Sequence, residues 1–217
     1  MKELDPQFFD PKLDAEYCSG LFSDELDKMG YRDQVVNFWK LNNSKARMFG
    51  RVRTLKIETV ETPDERIHIG LSFLAGLKCG DVLLVKGNEK FAYFGELMSR
   101  MSVDLGLAGA VIDGLTRDSH YTNGINFPIF SKGYTPKDIK GRGRVDCVDV
   151  GVEVGGCMIQ SGDYVFGDSD ALVFIPAGLL SNLMVKVNAA ALEEFEIKQK
   201  ISQGYTVTEI LKDHEAF

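Results

Sequence analysis

The stretch Asp113-Gly114-Leu115-Thr116-Arg117-Asp118 holds the densest set of reactive side chains in the sequence. It directly follows Gly109-Ala110-Val111-Ile112, an apolar run with the character of a buried strand. A loop at the end of a buried strand presents charged heads from a fixed backbone, which is where α/β proteins commonly place ligands. An adjacent arginine and aspartate can divide the work: Arg117 grips an anionic substrate through paired N–H donors, and Asp118 holds a hard cation. A second group, Gly95-Glu96-Leu97-Met98, stands at a predicted helix start. The first amides of a helix lack intrahelical partners and carry the positive end of its dipole, so they can cradle a carboxylate, and Gly95 would let it come close. Both groups also have a plain structural reading: a charged pair that finishes a turn, and a glycine that ends a loop before a helix.

The surrounding pattern supplies the elements that must position these groups. Leu21, Phe22, Leu26 and Met29 recur at helical spacing between Ser19, a candidate cap, and Gly30, a natural stop. Residues 46–60 alternate around β-branched positions and read as a strand, with room for a bulge. Residues 67–77 read as a helix, followed by the buried strand 82–85. Residues 95–106 form a further helix before strand 109–112. From Pro128 onward short strands at 129–130, 145–154, 158–159, 164–166 and 172–175 predict a compact β-layer. A long helix over 179–203 and a short one over 208–214 close the chain. Residues 1–16, charged and aperiodic with Pro6 and Pro11, read as an arm with no core role. The expectation is one mixed α/β domain over 1–217, with a helical tail from about residue 178.

Composition narrows the function. The chain has 217 residues, 44% hydrophobic, and a formal charge of −7, so its overall field repels phosphate backbones and anionic membranes. Nucleic acid and membrane are therefore not expected partners. The nearly apolar run 171–180 is too short to span a bilayer and contains Pro176. The acidic, proline-bearing start is unlike a signal peptide, which makes the cytoplasm the expected compartment. Cys18, Cys79, Cys147 and Cys157 are scattered without a C-x-x-C pair, and His68, His120 and His214 lie far apart, so zinc has no local site. Any metal should be a hard ion held by oxygen: magnesium, calcium or manganese.

Other motifs read as structure. Gly141-Arg142-Gly143-Arg144 lacks phosphate-loop spacing and is taken as a basic loop. Gly155-Gly156 suits a hairpin turn, and Ser161-Gly162-Asp163 and Asp168-Ser169-Asp170 suit tight turns capped by aspartate. His120, three residues beyond Arg117, is either a proton-transfer group or a polar loop residue.

Taken together, Gly95-Glu96-Leu97-Met98, the run 106–114, Arg117-Asp118, Pro128-Ile129-Phe130, Gly155-Gly156 and the two aspartate turns resemble, in order and spacing, the signature of the RraA-like family, which includes the 4-hydroxy-4-methyl-2-oxoglutarate aldolases. The resemblance runs from about residue 18 to 176. It implies a layered α/β/β/α fold like the swivelling phosphohistidine domain, here with a C-terminal helical tail, assembled as a homotrimer or a dimer of trimers with sites between subunits. It implies that Gly95, Glu96, Leu97 and Met98 hold a pyruvyl carboxylate, that Arg117 binds substrate oxygens, and that Asp118 ligates Mg2+, Mn2+ or another divalent cation. Glu193 and Glu196 match the region that completes the metal's outer shell from an adjacent subunit. The implied reaction is retro-aldol cleavage of a 4-hydroxy-2-keto acid or diacid to pyruvate through a metal-stabilised enolate, with oxaloacetate decarboxylation sharing that enolate. The alternative within the family is a non-catalytic, protein-binding regulator of the ribonuclease-inhibitor type; the long acidic helix after Pro176 favours the enzyme. Ser161 and Ala171 depart from the family pattern at turn positions. A nucleoside-dependent methyltransferase is excluded by the lack of a glycine-rich strand-to-helix loop.

Overall fold

The structure, a computed structural model, describes residues 4–37, 39–43, 45–61 and 67–213. In chain order the elements are α1 (Ser19–Lys28), β1 (Val35–Val36), β2 (Lys40–Leu41), β3 (Met48–Thr59), α2 (Ile67–Ala75), β4 (Asp81–Lys86), β5 (Ala92–Phe94), α3 (Glu96–Asp104), β6 (Gly109–Thr116), α4 (Ser119–Thr122), β7 (Ile129–Tyr134), β8 (Gly143–Val148), β9 (Val152–Val154), β10 (Cys157–Ile159), β11 (Tyr164–Gly167), β12 (Leu172–Ile175), α5 (Leu180–Ser202) and α6 (Val207–Asp213). The last helix thus matches the expected one as far as residue 213; His214 lies outside the described residues.

Ten strands form one mixed sheet in the order β1-β12-β11-β3-β4-β6-β7-β2, with β5 beside β6 and β8 beside β3; β9 and β10 form a separate hairpin. Strands β3, β4, β6 and β7 run parallel, so their carboxyl ends open along one edge. Their near-continuous apolar runs follow from burial on both faces: β4 is buried from Asp81 through Val85, and β6 from Gly109 through Gly114. Cross-strand partners share a face. Leu55, Leu83, Val85, Ala110 and Ile112 pack under α2 and α3 with Leu74 and Met98. Further along, Phe49, Phe166 and Val173 pack under α1 and α5. Val52, Val82, Leu84 and Val111 face the other way, against the hairpin residues Val152, Val154 and Ile159.

The architecture is the expected mixed α/β domain with a C-terminal helix, and five local expectations change. The N-terminal arm is part of the core. Leu4, Phe9 and Leu13 are buried, and Phe9 meets Tyr17 edge-on at 4.7 Å and Phe49 at 4.9 Å. The arm's charges hide its apolar subset, which fills the aromatic surface that α1 and α5 leave uncovered. Strand β6 continues to Thr116, so residues 113–116 are sheet rather than loop. Gly143 and Arg144 open β8 instead of lying in a basic loop. The strands after Pro128 form no separate layer, since β7, β8, β11 and β12 join the main sheet. Finally, Ser19 does not cap α1; Cys18 occupies the cap position, and the Ser19 amide donates to Asp168 Oδ2 at 2.7 Å from the distant aspartate turn.

The turn readings hold. Gly155 and Gly156 join β9 to β10 with φ of 59° and 90°, the left-handed pair a two-residue hairpin requires. Asp163 accepts from Gln160 N at 2.8 Å and Ala177 N at 2.9 Å, and Asp168 accepts from Asp170 N at 2.9 Å.

Candidate active site

Strand β6 delivers Arg117 and Asp118 to the carboxyl edge of the parallel sheet. The Arg117 amide still follows the sheet, donating to Phe94 O at 3.0 Å. Asp118 then breaks the strand with φ 59° and ψ 42°, a left-handed conformation that aspartate tolerates better than most side chains. Its carbonyl accepts from the amides of Tyr121 and Thr122 at 2.9 and 3.0 Å, which starts the short helix α4.

The carboxylate of Asp118 turns back toward α3. Its Oδ2 accepts from the Glu96 amide at 3.0 Å and lies 3.5 Å from Arg117 Nε. The first amide of α3 is thereby linked to Asp118, while the next two, of Leu97 and Met98, remain first-turn donors without intrahelical partners. Glu96 enters the site through its backbone only, since its side chain pairs with Arg100 at 2.8 Å and Arg100 in turn lies over the Tyr121 ring at 4.3 Å. Leu97 is 69% exposed and Met98 is buried.

Gly95 is required by close approach. A Cβ there would stand 2.5 Å from Asp118 Oδ2 and 2.7 Å from Arg117 Cγ. Behind it, Ser99 Oγ donates to Gly95 O at 2.8 Å, which fixes the turn from within the helix. The site groups drawn from sequence, Gly95 to Met98, Arg117 and Asp118, are therefore brought together in one chain.

Asp138 belongs with them and was not read from the sequence. Its Oδ2 lies 3.1 Å from Arg117 Nη1, so the guanidinium is held between two carboxylates. The available signal was Thr135-Pro136-Lys137-Asp138, a polar cluster just past a strand, and its meaning depends on β7 pairing with β6. Thr135 N donates to Thr116 O at 2.9 Å and Lys137 O accepts from Ala92 N at 2.8 Å, so this loop runs beside the arginine. It opens into a cleft of about 740 Å³ lined by Lys90, Lys137 and Arg142 together with Glu61 and Glu89. On β7, Tyr134 donates to Asn123 Oδ1 at 2.8 Å; burial pushes its phenol up, so the hydroxyl stays protonated.

Asp113, in the same sequence stretch, has another task. It is 3% exposed on the opposite face of the sheet, with Lys86 Nζ at 2.6 Å and Lys132 Nζ at 2.8 Å. His120 is exposed on α4, and among the described residues no hydrogen bond or ion pair joins its side chain to Arg117 or Asp118. Glu193 and Glu196 are exposed on α5, which packs on α1 in a different core cluster from the one beneath α3. One chain does not bring them to Asp118.

Asp118 is the residue of this site that would hold a hard cation. Among the described residues no group of three or more His, Cys, Asp or Glu could hold a metal ion. Asp118 is one-third exposed, and its Oδ1 makes no hydrogen bond among the described residues. A single open carboxylate fits magnesium, which keeps most of its water and takes one or two protein oxygens plus substrate.

Comparison with known proteins gives the family of the chain. Residues 20–174 match a family model described as RraA-like, Aldolase/RraA. A relative from Halalkalibacterium halodurans, named a putative 4-hydroxy-4-methyl-2-oxoglutarate aldolase, is 34% identical over 127 residues, covering 58% of this chain and 60% of its own length. The chain thus spans less than two thirds of that relative. A 4-hydroxy-4-methyl-2-oxoglutarate aldolase of Thermus thermophilus is 28% identical over 140 residues, 64% of this chain and 81% of the relative. The crystal structure of Streptomyces coelicolor RraAS2, described as an unusual member of the RNase ES inhibitor RraA protein family, superposes with a TM-score of 0.74 at 23% identity. It covers 94% of this chain and all of that one.

Proposed function

The chain belongs to the RraA-like family, and from that premise we propose that it is a divalent-cation-dependent carbon–carbon lyase that releases pyruvate from 4-hydroxy-2-keto acids and from oxaloacetate. The observation that carries this reading is the convergence of Arg117, Asp118 and the first turn of α3 at the carboxyl end of β6. A divalent cation at Asp118, magnesium by preference, would supply Lewis-acid polarisation of the 2-keto acid's oxygens.

The protein groups account for the rest. The amides of Leu97 and Met98 offer two oriented donors at a positive helix end for the substrate's 1-carboxylate, and Gly95 leaves the room that this carboxylate needs. Arg117 supplies fixed positive charge beside the carbon–carbon bond that breaks, where the pyruvyl fragment becomes an enolate and negative charge grows on its oxygen. Asp138 and Asp118 hold that guanidinium from two sides, so it need not reorganise during the reaction. We place Glu193 and Glu196 in the site of an adjacent subunit, within a homotrimer or a pair of trimers.

The test is pyruvate release from 4-hydroxy-4-methyl-2-oxoglutarate and from oxaloacetate, with magnesium and with a chelator. Metal-dependent release from either supports the lyase. Folded, metal-supplied protein that releases pyruvate from neither would contradict it and would turn attention to a protein-binding role.

A further inference from the structure

At the opposite end of the parallel strands, where β3 and β4 begin and β6 is about to, lies a second cavity of about 500 Å³, unrelated to the proposed chemistry. It is separated from Arg117 by the length of β6, roughly 25 Å. Such a volume is ordinary for a small-molecule site.

One wall is aromatic. Phe8 of the arm lies 5.3 Å from Phe49, which stacks with Tyr164 at 5.7 Å, and all three line the cavity. The other wall is cationic, with Arg47, Arg51 and Lys78. Asp5 and Asp81 are the acids of the lining, and Asp81 is already satisfied. Arg51 Nε lies 3.1 Å away, Arg53 Nη1 3.7 Å, and the Lys78 amide donates to it at 2.9 Å. Arg53 has its own carboxylate in Asp149, so Asp81 answers Arg51, and the Lys78 ammonium has no partner among the described residues.

Arg47 completes the cationic wall. Its side chain is 10% exposed, and its Nη1 and Nη2 bind Asp14 and the Tyr17 carbonyl, yet its Nε is buried without a hydrogen-bond partner. That N–H has no surface open to the cavity, so Arg47 contributes fixed positive charge to the wall and no hydrogen bond to an occupant. The frame is built to last: Gly80, at φ 83°, closes the Lys78–Asp81 turn, and its carbonyl approaches to where a Cβ on Gly50 would stand, at 2.3 Å.

We propose that this cavity binds a small organic anion, a single carboxylate on an apolar or aromatic body, with the body against Phe8, Phe49 and Tyr164 and the head toward Lys78, Arg51 and Arg47. In a chain of net charge −7, a lining with Arg47, Arg51 and Lys78 against Asp5 and Asp81 is a place that favours an anion. The site is independent of the lyase reading.

Cys79 lines the cavity with an exposed thiol, while Cys147 lies elsewhere on the surface of β8 and serves as an internal control. The experiment follows iodoacetamide alkylation of the full chain, peptide by peptide, in 3-phenylpropionate and in its neutral analogue 3-phenylpropanol. A ligand of this size binds at about millimolar strength. The expected result is saturable protection of Cys79 by the carboxylate, with Cys147 unaffected and the alcohol at least roughly threefold weaker. Lys78→Glu and Arg51→Gln should each weaken the protection roughly fivefold, and Arg117→Ala should leave it intact. Equal protection by the alcohol, no protection up to roughly 10 mM, or loss in Arg117→Ala with retention in Lys78→Glu would each overturn the proposal.

Discussion

Gly95 is the position where one added carbon would be felt most sharply. A methyl group there would have to displace Asp118 Oδ2 and the Arg117 side chain together, while the backbone, extended at φ −161°, accepts alanine without strain. Gly95→Ala should therefore lower kcat/KM about a hundredfold with little change in Tm, because misplacement by about an ångström is enough to lose oriented catalysis. Steady-state kinetics beside a melting curve check this; a large fall in Tm with kinetics preserved would mean that Gly95 serves folding alone. The same scale shows what the sequence could not display. Arg117 and Asp118 were legible because they adjoin in the chain at the end of an apolar run. Asp138 was not, because its place beside Arg117 is created by β7 pairing with β6, some way downstream in the chain.

At the scale of elements, the N-terminal arm is held by the aromatic cluster rather than lying loose. Phe9→Ala should destabilise the protein by about 3–4 kcal/mol, read from denaturant unfolding, since it leaves a void among Tyr17, Phe22 and Phe49. A change below about 0.5 kcal/mol would restore the picture of an arm without a core role. Strand β3 is tied to the loop before β9 by Arg53, which reaches Asp149 at 2.8 and 2.6 Å. Those hydrogen bonds hold the Asp149 carboxyl below its ordinary range. A depressed carboxylate pKa stabilises the fold above the unfolded value and loses that contribution as pH falls through the folded one. Asp149→Asn should therefore cost up to about 1 kcal/mol at neutral pH, and the gap should narrow as the pH falls through the folded-state pKa of Asp149. An equal gap at every pH would remove the ionic explanation. Most helices and the buried strands were legible from period and apolar runs. The two-residue strands β1 and β2 and the three-residue β5 were not, because edge pairing rather than side-chain pattern makes them strands. The Asp168 cap on α1 was hidden for a related reason, its partner being far away in sequence.

At the scale of the whole molecule, α5 has two duties that must be separated. Val187, Ala191 and Ile197 are buried, the first two in the core with the arm and α1, so truncating the chain after Lys186 would damage the fold and tell little about the site. Glu193 and Glu196 are exposed on the same helix, and their paired change to glutamine leaves that core untouched. Glu193→Gln with Glu196→Gln should reduce turnover without lowering Tm. Mixing those chains with Arg117→Ala chains should restore part of the activity, because each intact site can then be assembled from two subunits. Activity of the mixture equal to the sum of its parts would place the glutamates outside a shared site. The measurement closest to the central claim is magnesium-dependent pyruvate release by Asp118→Asn beside the parent protein. Asparagine keeps the size of the side chain and an acceptor for the Glu96 amide but lacks the charge that would hold the cation. Release should disappear with a chelator and fall about a hundredfold or more in Asp118→Asn at saturating magnesium, with Tm preserved. Release that is indifferent to the chelator, or unchanged in Asp118→Asn, would contradict that claim.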